Sequence, residues 1–456
     1  MITATTFIIV IVKCAIFSCN WNTAAAAIAA EAAATERPQK LLMLIVEGLS
    51  GRQFHFSLSL IVFRTFLDEG IWTKWFYPVF PTLPLPNRYS LFTGLFPSIH
   101  GLVGDYVFNS KTKTLFQNFT AYSDFDISWW PYEPIFVTTQ KVGISTAVFY
   151  LPECRVHWSV MPSLCDFENT SAVVSAIRKH DFVIVNYDAI RKKLEKKNPQ
   201  NFQFRRSGIF QSFVQVLERY HALAEELGNL NIILVCPHGY VEVPGANNKI
   251  LDYYIDMNLI ETTIGVGAIK QLHVTPVFLH LKHLNPIPGV KVYRTSKEAN
   301  EIPEWYFYEQ SDVIPPLVLM ATPGYAVYTL EETKQIPRPS NTETKVSLSG
   351  YNNEYPDMLG LFLARGPKFK KGSHLGPLNI VEIYKMICII LKLRCPYSDL
   401  EVAALSVPAD SGSKTQNAQS NAPTVKCSRN NHASSSSITI IYIGYLLIEY
   451  CLMHIS

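Results

Sequence analysis

The sequence predicts an α/β fold in which helices cover both faces of a central, mostly parallel sheet. Short apolar runs of strand length recur along the chain, and segments with helical periodicity separate several of them. These runs are continuous rather than alternating, which is typical of strands buried on both faces of a parallel sheet. Functional sites in such sheets form where the carboxyl ends of the strands meet the following loops.

The elements that carry this prediction can be given in chain order. The strand-like runs are LLMLIV (41–46), STAVFY (145–150), DFVIVNY (181–187) and NIILVC (231–236). The helix-like segments are 53–69 and the amphipathic stretch 208–228. The candidate site residues are therefore those that directly follow strands: Glu47 and Gly48, Asp188, and Pro237 to Gly239.

A proline-rich stretch, VFPTLPLPN (79–87), interrupts this pattern. Three prolines in nine residues predict a stiff loop rather than a helix or a central strand. The following RYSLFTGLFPSIHG (88–101) predicts a helix and a tight turn. The loop therefore holds some group in a fixed position in front of that helix.

Composition bounds the class of protein. The chain has 456 residues, of which 48% are hydrophobic, so it can bury a large core. A formal net charge of +3 is too small to indicate a nucleic-acid partner. The sequence shows neither a glycine-rich phosphate loop nor a paired CxxC zinc pattern.

Both ends of the chain are apolar. Residues 1–33, an apolar run followed by alanines, predict a secretory signal peptide. Residues 405–437 are rich in Ser, Asn and Ala and predict a linker after a domain of residues 40–400. The hydrophobic tail 438–456 predicts membrane attachment, as a glycolipid-anchor signal in preference to a membrane span. We therefore expect a protein at the cell surface or outside the cell.

Sequons and cysteines agree with a secretory protein. Asn118 and Asn169 begin Asn-x-Ser/Thr triplets and are the candidate glycosylation sites. Nearness in sequence makes Cys154 with Cys165, and Cys388 with Cys395, the candidate disulfides.

Five segments in order resemble the ectonucleotide pyrophosphatase/phosphodiesterase family of the alkaline phosphatase superfamily. They are LLMLIVEGL (41–49), VFPTLPLPNRYSLFTGLFPSIHG (79–101), WWPYEPIFVTTQKVG (129–143), IPEWYFYEQSDVIPPLVLMATPGY (302–325) and GYNNEYPDMLGLFLARGPKFKKG (350–372). The resemblance implies an alkaline phosphatase-like fold. It also implies two zinc ions held by Asp and His side chains, and a Thr or Ser nucleophile that attacks phosphorus.

Carried over residue by residue, the resemblance places Pro84 at the nucleophile position, where no hydroxyl is available. Glu47 falls on the first metal-binding Asp and is one methylene longer. Asn87 falls on an Asn that contacts phosphate, and is the expected substrate-binding residue.

The other metal positions are also changed. The family's Asp-x-x-x-His pair falls on Lys192 and Lys196 in one spacing, and on Arg191 and Glu195 in another. The next Asp-His pair is Pro237-His238, and the final His falls on Ser349. Only Glu47 and His238 are able to bind a metal, and two protein ligands are too few for a structural or catalytic zinc.

These substitutions predict a catalytically inactive member of the family that needs no cofactor and binds a phosphate-containing ligand or a protein partner. The alternative is a residual phosphodiesterase that uses Thr82, Ser90 or a water with one zinc at Glu47 and His238. A diverged structural product without a ligand is the third possibility. The basic run RKKLEKK (191–197) is interpreted as a solvated helix start, although its charges could instead replace those of the zinc ions.

Overall fold

A computed structural model describes residues 39–49, 61–168, 171–196, 207–274, 286–295, 301–308, 312–335 and 345–394. The strands are β1 Lys40–Val46, β2 Gly70–Thr73, β3 Phe76–Tyr77, β4 Val107–Asn109, β5 Thr114–Phe116, β6 Thr146–Phe149, β7 Leu164–Asp166, β8 Phe182–Tyr187, β9 Leu230–Cys236, β10 Val241–Pro244, β11 Asn248–Ile250, β12 Ile260–Ile264, β13 Ile269–Val274, β14 Val290–Arg294, β15 Leu317–Ala321, β16 Ala326–Tyr328, β17 Lys345–Leu348, β18 Leu361–Arg365, β19 Ser373–Leu375 and β20 Leu378–Asn379. The helices are α1 Ile61–Glu69, α2 Pro84–Thr93, α3 Pro97–His100, α4 Ile135–Lys141, α5 Ala172–Lys179, α6 Ala189–Lys196, α7 Gly208–Leu227, α8 Glu332–Gln335 and α9 Glu382–Ile390.

The central sheet contains eight strands in the order β19-β2-β18-β9-β1-β8-β6-β7. Strand β1 pairs in parallel with both β8 and β9, so both of its edges are hydrogen-bonded within the sheet. Strand β18 is antiparallel to β9 and β2 and is the reversed strand of this sheet. The predicted α/β fold with a mostly parallel sheet is thereby confirmed.

Two hydrophobic cores lie on opposite faces of this sheet. Alternate β1 side chains belong to different cores, with Met43 in one and Leu44 in the other. Helices α1, α5 and α7 cover the Leu44 face, and α2, α4 and α9 cover the Met43 face. A continuous apolar strand is what this arrangement requires, since neither set of side chains meets water.

The proline-rich stretch differs from its predicted form. Helix α2 begins at Pro84, so the last prolines and Asn87 form its first turn instead of a loop. Proline is tolerated there because the first backbone N–H groups of a helix have no partner within it. The preceding residues remain irregular, and the Phe80–Pro81 peptide bond is cis.

A second, four-stranded sheet, in the order β12-β13-β15-β14, packs through a core of its own. Its Gln271 side chain donates to the Val103 carbonyl at 2.9 Å. This contact fixes the segment that follows α3, and that segment leads to the candidate site.

The Cys154–Cys165 disulfide is present as predicted. Cys388 is buried in α9, whereas Cys395 lies outside the described residues, so their pairing stays a prediction. The leader, linker, tail, Asn169 and residues 53–60 of the first helix-like segment also lie outside them. Within the described ranges, no helix combines the length and apolar character that crossing a membrane requires.

Candidate functional site

A cavity of about 540 Å³ is bordered by residues that follow β6 and β8, at the carboxyl end of the sheet. Its wall combines basic, acidic and aromatic side chains, including Arg88, Arg191, Lys192, Asp105, Asp188 and Phe119. Pro84 and Ser349 also border it, so several of the positions singled out from the sequence meet here. This is where the parallel sheet predicts a site.

Asn87 does not border this cavity, which corrects its expected role in substrate binding. It is fully buried, and its Oδ1 accepts from the Val79 backbone N–H at 2.8 Å. Its Nδ2 donates to the carbonyls of Pro81 and Leu83, at 3.1 and 2.9 Å. The amide therefore braces the chain around the cis proline and is not available to a ligand.

The alternative nucleophiles are equally occupied. The Thr82 hydroxyl donates to the Tyr351 carbonyl at 2.9 Å and accepts from the Gly350 backbone N–H at 3.0 Å. The Ser90 hydroxyl lies 2.9 Å from Nε2 of His100. Both hydroxyls belong to fully buried residues, and neither residue borders the cavity. Pro84, which does border it, has no hydroxyl.

Glu47 lies behind the cavity, with its side chain 1% exposed. Its Oε1 accepts from Nη1 of Arg88 at 2.9 Å and its Oε2 accepts from Nε of Arg191 at 2.5 Å. Burial alone raises the pKa of the Glu47 carboxyl, but the two guanidiniums outweigh burial and hold that pKa below its usual range. Both carboxylate oxygens are thus committed to guanidinium groups.

A glycine allows Arg191 to come this close. Gly48 has a φ of 96°, and a Cβ there would lie 2.8 Å from the backbone N of Arg191. That same N donates to the Glu47 carbonyl at 3.1 Å. The start of α6 therefore packs directly against the turn after β1, and this contact aims the Arg191 side chain at the Glu47 carboxylate.

Arg88 is held by a second carboxylate that the sequence interpretation missed. Its Nε donates to Oε1 of Glu153 at 2.8 Å, and both side chains are buried. Burial favours the neutral form of Arg88, but Glu153 and Glu47 reverse this and raise its pKa. Glu153 directly precedes Cys154, so the disulfide fixes the segment that holds Arg88.

Two residues of the basic run 191–197 support different interpretations: one matches replacement of the metal charge, and the other matches a solvated helix start. Arg191 points inward to Glu47, as expected if basic groups replace the charge of a metal. The Lys192 side chain is 60% exposed and pairs with Asp188 at 2.8 Å, as expected of a solvated helix start. The side chains of Glu195 and Lys196 are not among those that the structure describes.

Asp105 is another acid that the sequence interpretation did not find. It accepts from the backbone N–H of Leu85, near the start of α2, at 2.9 Å. Burial raises the pKa of Asp105 to about 6, although this hydrogen bond and Arg88 oppose the change. A single acid in the apolar stretch GLVGDYVF (101–108) was the available signal.

His238 keeps an arrangement that a metal ligand could use. Its Nδ1 lies 3.0 Å from the Gly239 carbonyl, and its buried Nε2 has no hydrogen-bond partner among the described residues. Burial lowers the pKa of His238 to about 4, so the ring is neutral at pH 7.

The surrounding donors do not fit the zinc pair that the family resemblance implies. The described residues contain no group of three or more His, Cys, Asp and Glu side chains able to hold a metal ion. Glu47 already accepts from two guanidiniums, and Pro237 offers no side-chain donor. Zinc takes at least three protein ligands, so no metal-dependent step follows from this arrangement.

The chain is similar to known proteins over most of its length. A profile of the type I phosphodiesterase / nucleotide pyrophosphatase family matches residues 41–352. The relative bis(5'-adenosyl)-triphosphatase ENPP4 from Homo sapiens is 26% identical over 378 residues, which cover 78% of this chain and 79% of the relative. Human ectonucleotide pyrophosphatase/phosphodiesterase family member 1 is 23% identical over 391 residues, or 78% of this chain and 40% of the relative.

Solved structures agree in fold. Murine ectonucleotide pyrophosphatase/phosphodiesterase 5 has a TM-score of 0.67 at 20% identity, covering 81% of this chain and 100% of that chain. An inactive variant of the murine protein in complex with AMP has a TM-score of 0.66 at 21% identity, with the same coverage. The profile match extends over more than half of the sequence, and the chain therefore belongs to the type I phosphodiesterase / nucleotide pyrophosphatase family.

Proposed function

We propose that this protein is a member of the family that does not hydrolyse phosphodiesters by the zinc and hydroxyl route. The observation that carries the proposal is the pairing of Glu47 with Arg88 and Arg191, beside a nucleophile position occupied by Pro84. In-line attack on phosphorus needs an activated nucleophile and a positive charge that is free to receive the phosphate. Here the nucleophile is missing and the positive charges are matched internally.

The cavity supports binding without cleavage as the retained role. Arg88, Arg191 and Lys192 present N–H donors of the kind that recognise phosphate oxygens. Their charges are balanced by Glu47, Glu153 and Asp188, so a phosphate-containing ligand gains hydrogen bonds but little net charge attraction. We infer a weak site for such a ligand, and AMP is a suitable probe because a related protein binds it.

The signal-like leader, the two sequons and the hydrophobic tail support a glycoprotein at the cell surface or outside the cell. The relatives are named as ectonucleotide enzymes, which agrees with this location. The tail at 438–456 would provide membrane attachment.

The test is to purify the ectodomain from a secretory expression host and to measure its zinc content and its hydrolysis of a nitrophenyl ester of thymidine monophosphate. A Pro84→Thr variant restores the hydroxyl, and a Pro84→Ala variant is its matched control without one. We expect substoichiometric zinc and hydrolysis at the buffer rate in all three proteins, since Glu47 remains paired with arginines. AMP should bind all three, as followed by calorimetry.

Stoichiometric zinc together with turnover by the native chain would overturn the proposal. Turnover by Pro84→Thr alone would also contradict it, since it would mean that the missing hydroxyl is the only defect. If AMP does not bind and the ester is not hydrolysed, the inferred phosphate-binding site is wrong, and the proposed lack of hydrolysis stands.

A further inference from the structure

The acceptor of the first sequon lies on the cavity itself. Asn118 and Phe119 both border the cavity, in the turn that follows β5. Asn118 is partly exposed, and no described residue forms a hydrogen bond with its side-chain amide. Its Nδ2 is therefore available for attachment of a sugar, whereas the amide of Asn87 is fully committed.

The turn that carries Asn118 is held in place. The Gln117 carbonyl accepts from the Thr120 hydroxyl at 2.7 Å and from the Thr120 backbone N–H at 3.2 Å. The buried carboxylate of Asp124 accepts from the backbone N–H groups of Gln117, at 2.9 Å, and Ala121, at 3.3 Å. Both ends of the turn are thus fixed, and a group attached to Asn118 stays beside the cavity.

The ring of Phe119 adds a third restraint. It stacks on the buried Trp130 ring with the centroids 5.5 Å apart. Asn118 and Phe119 have φ values of 52° and 63°, a conformation in which Asn is among the favoured residues. Changes at Asn118 therefore disturb the turn as well as the sequon, and a good test leaves Asn118 unchanged.

We propose that Asn118 carries an N-linked glycan, which stands at the rim of the cavity and restricts it to small ligands. This inference rests on the secretory location proposed above. An N-glycan is bulky and strongly hydrated, so beside a cavity of about 540 Å³ it blocks an entering loop or helix of another protein. Ligands of nucleotide size still pass, and protein partners dock elsewhere.

The first experiment asks whether the sugar is present. The chain is secreted as wild type, Thr120→Ser and Thr120→Ala, and the glycopeptides are analysed by mass spectrometry. Serine keeps both the acceptor triplet and the hydroxyl that donates to Gln117, whereas alanine removes both. We expect glycan on Asn118 in the first two proteins and none in Thr120→Ala.

A bare Asn118 in secreted wild type overturns the inference. If Asn169 is then glycosylated, the proposed location stands and only the inference fails. If neither Asn118 nor Asn169 is glycosylated, both this inference and the proposal of a glycoprotein are wrong.

The second experiment measures access to the cavity. A Ser349→Cys reporter on the cavity wall is labelled with N-ethylmaleimide and with a poly(ethylene glycol) maleimide much larger than the cavity. We expect equal N-ethylmaleimide rates in the glycosylated protein and in the same protein after enzymatic removal of the glycan, which leaves Thr120 and its hydrogen bond unchanged. The polymer reagent should react about tenfold more slowly when the glycan is present.

Equal polymer rates in the two forms, with glycan confirmed, would overturn the inference. Protein without the introduced cysteine corrects for background labelling of native thiols such as the buried Cys236. Tyr106→Cys, at a 40% exposed residue that also borders the cavity, is the second reporter if Ser349→Cys does not fold.

Discussion

At the scale of single residues, buried charges behind the cavity are matched one against another. Arg88 contacts Glu47 and Glu153, and Arg191 contacts Glu47 and Asp188. Removing one member of a buried group leaves its partner charged and unpaired, which costs about 3–5 kcal/mol. Glu47 is shared by both arginines, so the cluster depends on it most.

Replacing Glu47 with Gln keeps the shape of the side chain and removes its charge. We expect the free energy of unfolding at neutral pH to fall by about 3 kcal/mol, because two guanidiniums lose their counter-ion. Asp181→Asn is the matched control: its pair with Lys40 is longer, at 4.0 Å, and more exposed, so a loss under about 1 kcal/mol is expected. Equal losses in chemical denaturation would contradict this account.

Asp105 predicts a pH dependence of opposite sign to that of a paired carboxylate. Folding raises its pKa from 3.8 to about 6, so the folded state binds the proton more tightly than the unfolded chain. Its contribution therefore makes the protein less stable as pH rises through this window, and the loss persists above it. We expect Asp105→Asn to be more stable than wild type at pH 7, by about 2 kcal/mol.

This advantage should shrink as the pH is lowered from 7 to 5, since wild-type Asp105 then becomes protonated too. Denaturation curves of both proteins across that range provide the measurement. A stability difference that does not change with pH would show that the Asp105 carboxylate is not the cause.

The ion pairs of Arg88 with Glu47 and Glu153 were only partly predictable from the sequence. Glu47 was identified because it directly follows a strand, at a position that the family resemblance defines. Arg88 and Glu153 were missed because their partners lie 41 and 65 residues away along the chain. Local patterns do not encode such pairings, which become visible only when the sheet brings the segments together.

At the scale of elements, the strands whose side chains are buried on both faces of the sheet were predicted correctly. The runs now seen as β1, β6, β8 and β9 were found because strands buried on both faces are continuously apolar. The start of α2 was misplaced because prolines were interpreted as excluding helix, although the first turn admits them. Proline disfavours helix interiors, but its acceptance in the first turn decided the structure here.

The entry into α2 gives a prediction for the element as a whole. Asn87→Ala removes the amide that joins Val79, Pro81 and Leu83, and leaves buried backbone groups unpaired. We expect it to cost about 2–4 kcal/mol of unfolding free energy. Asn353→Ala, which removes one 3.1 Å bond to the Pro78 carbonyl, is the comparator and should cost less. The reverse order in denaturation experiments would refute a bracing role for Asn87.

At the scale of the whole molecule, the two-faced sheet and the family match agree from independent directions. The apolar runs predict the sheet without reference to any related protein. The five segments resemble the family in sequence alone, without reference to the structure. Neither predicts how the space behind the cavity is filled, because that depends on side chains from β1, α2, α6 and the turn before Cys154 meeting in three dimensions.

The Arg88–Glu47–Arg191 group bears on how the molecule responds to its surroundings. An ion held by coordination is in equilibrium with solution and dissociates when its concentration falls. A guanidinium is joined to the chain by covalent bonds and cannot be diluted away or removed by a competing chelator. We expect the thermal midpoint to be the same in excess EDTA as in excess zinc, and a fall in EDTA would reveal a bound ion. A family member built in this way would keep its shape in fluids where free zinc is scarce.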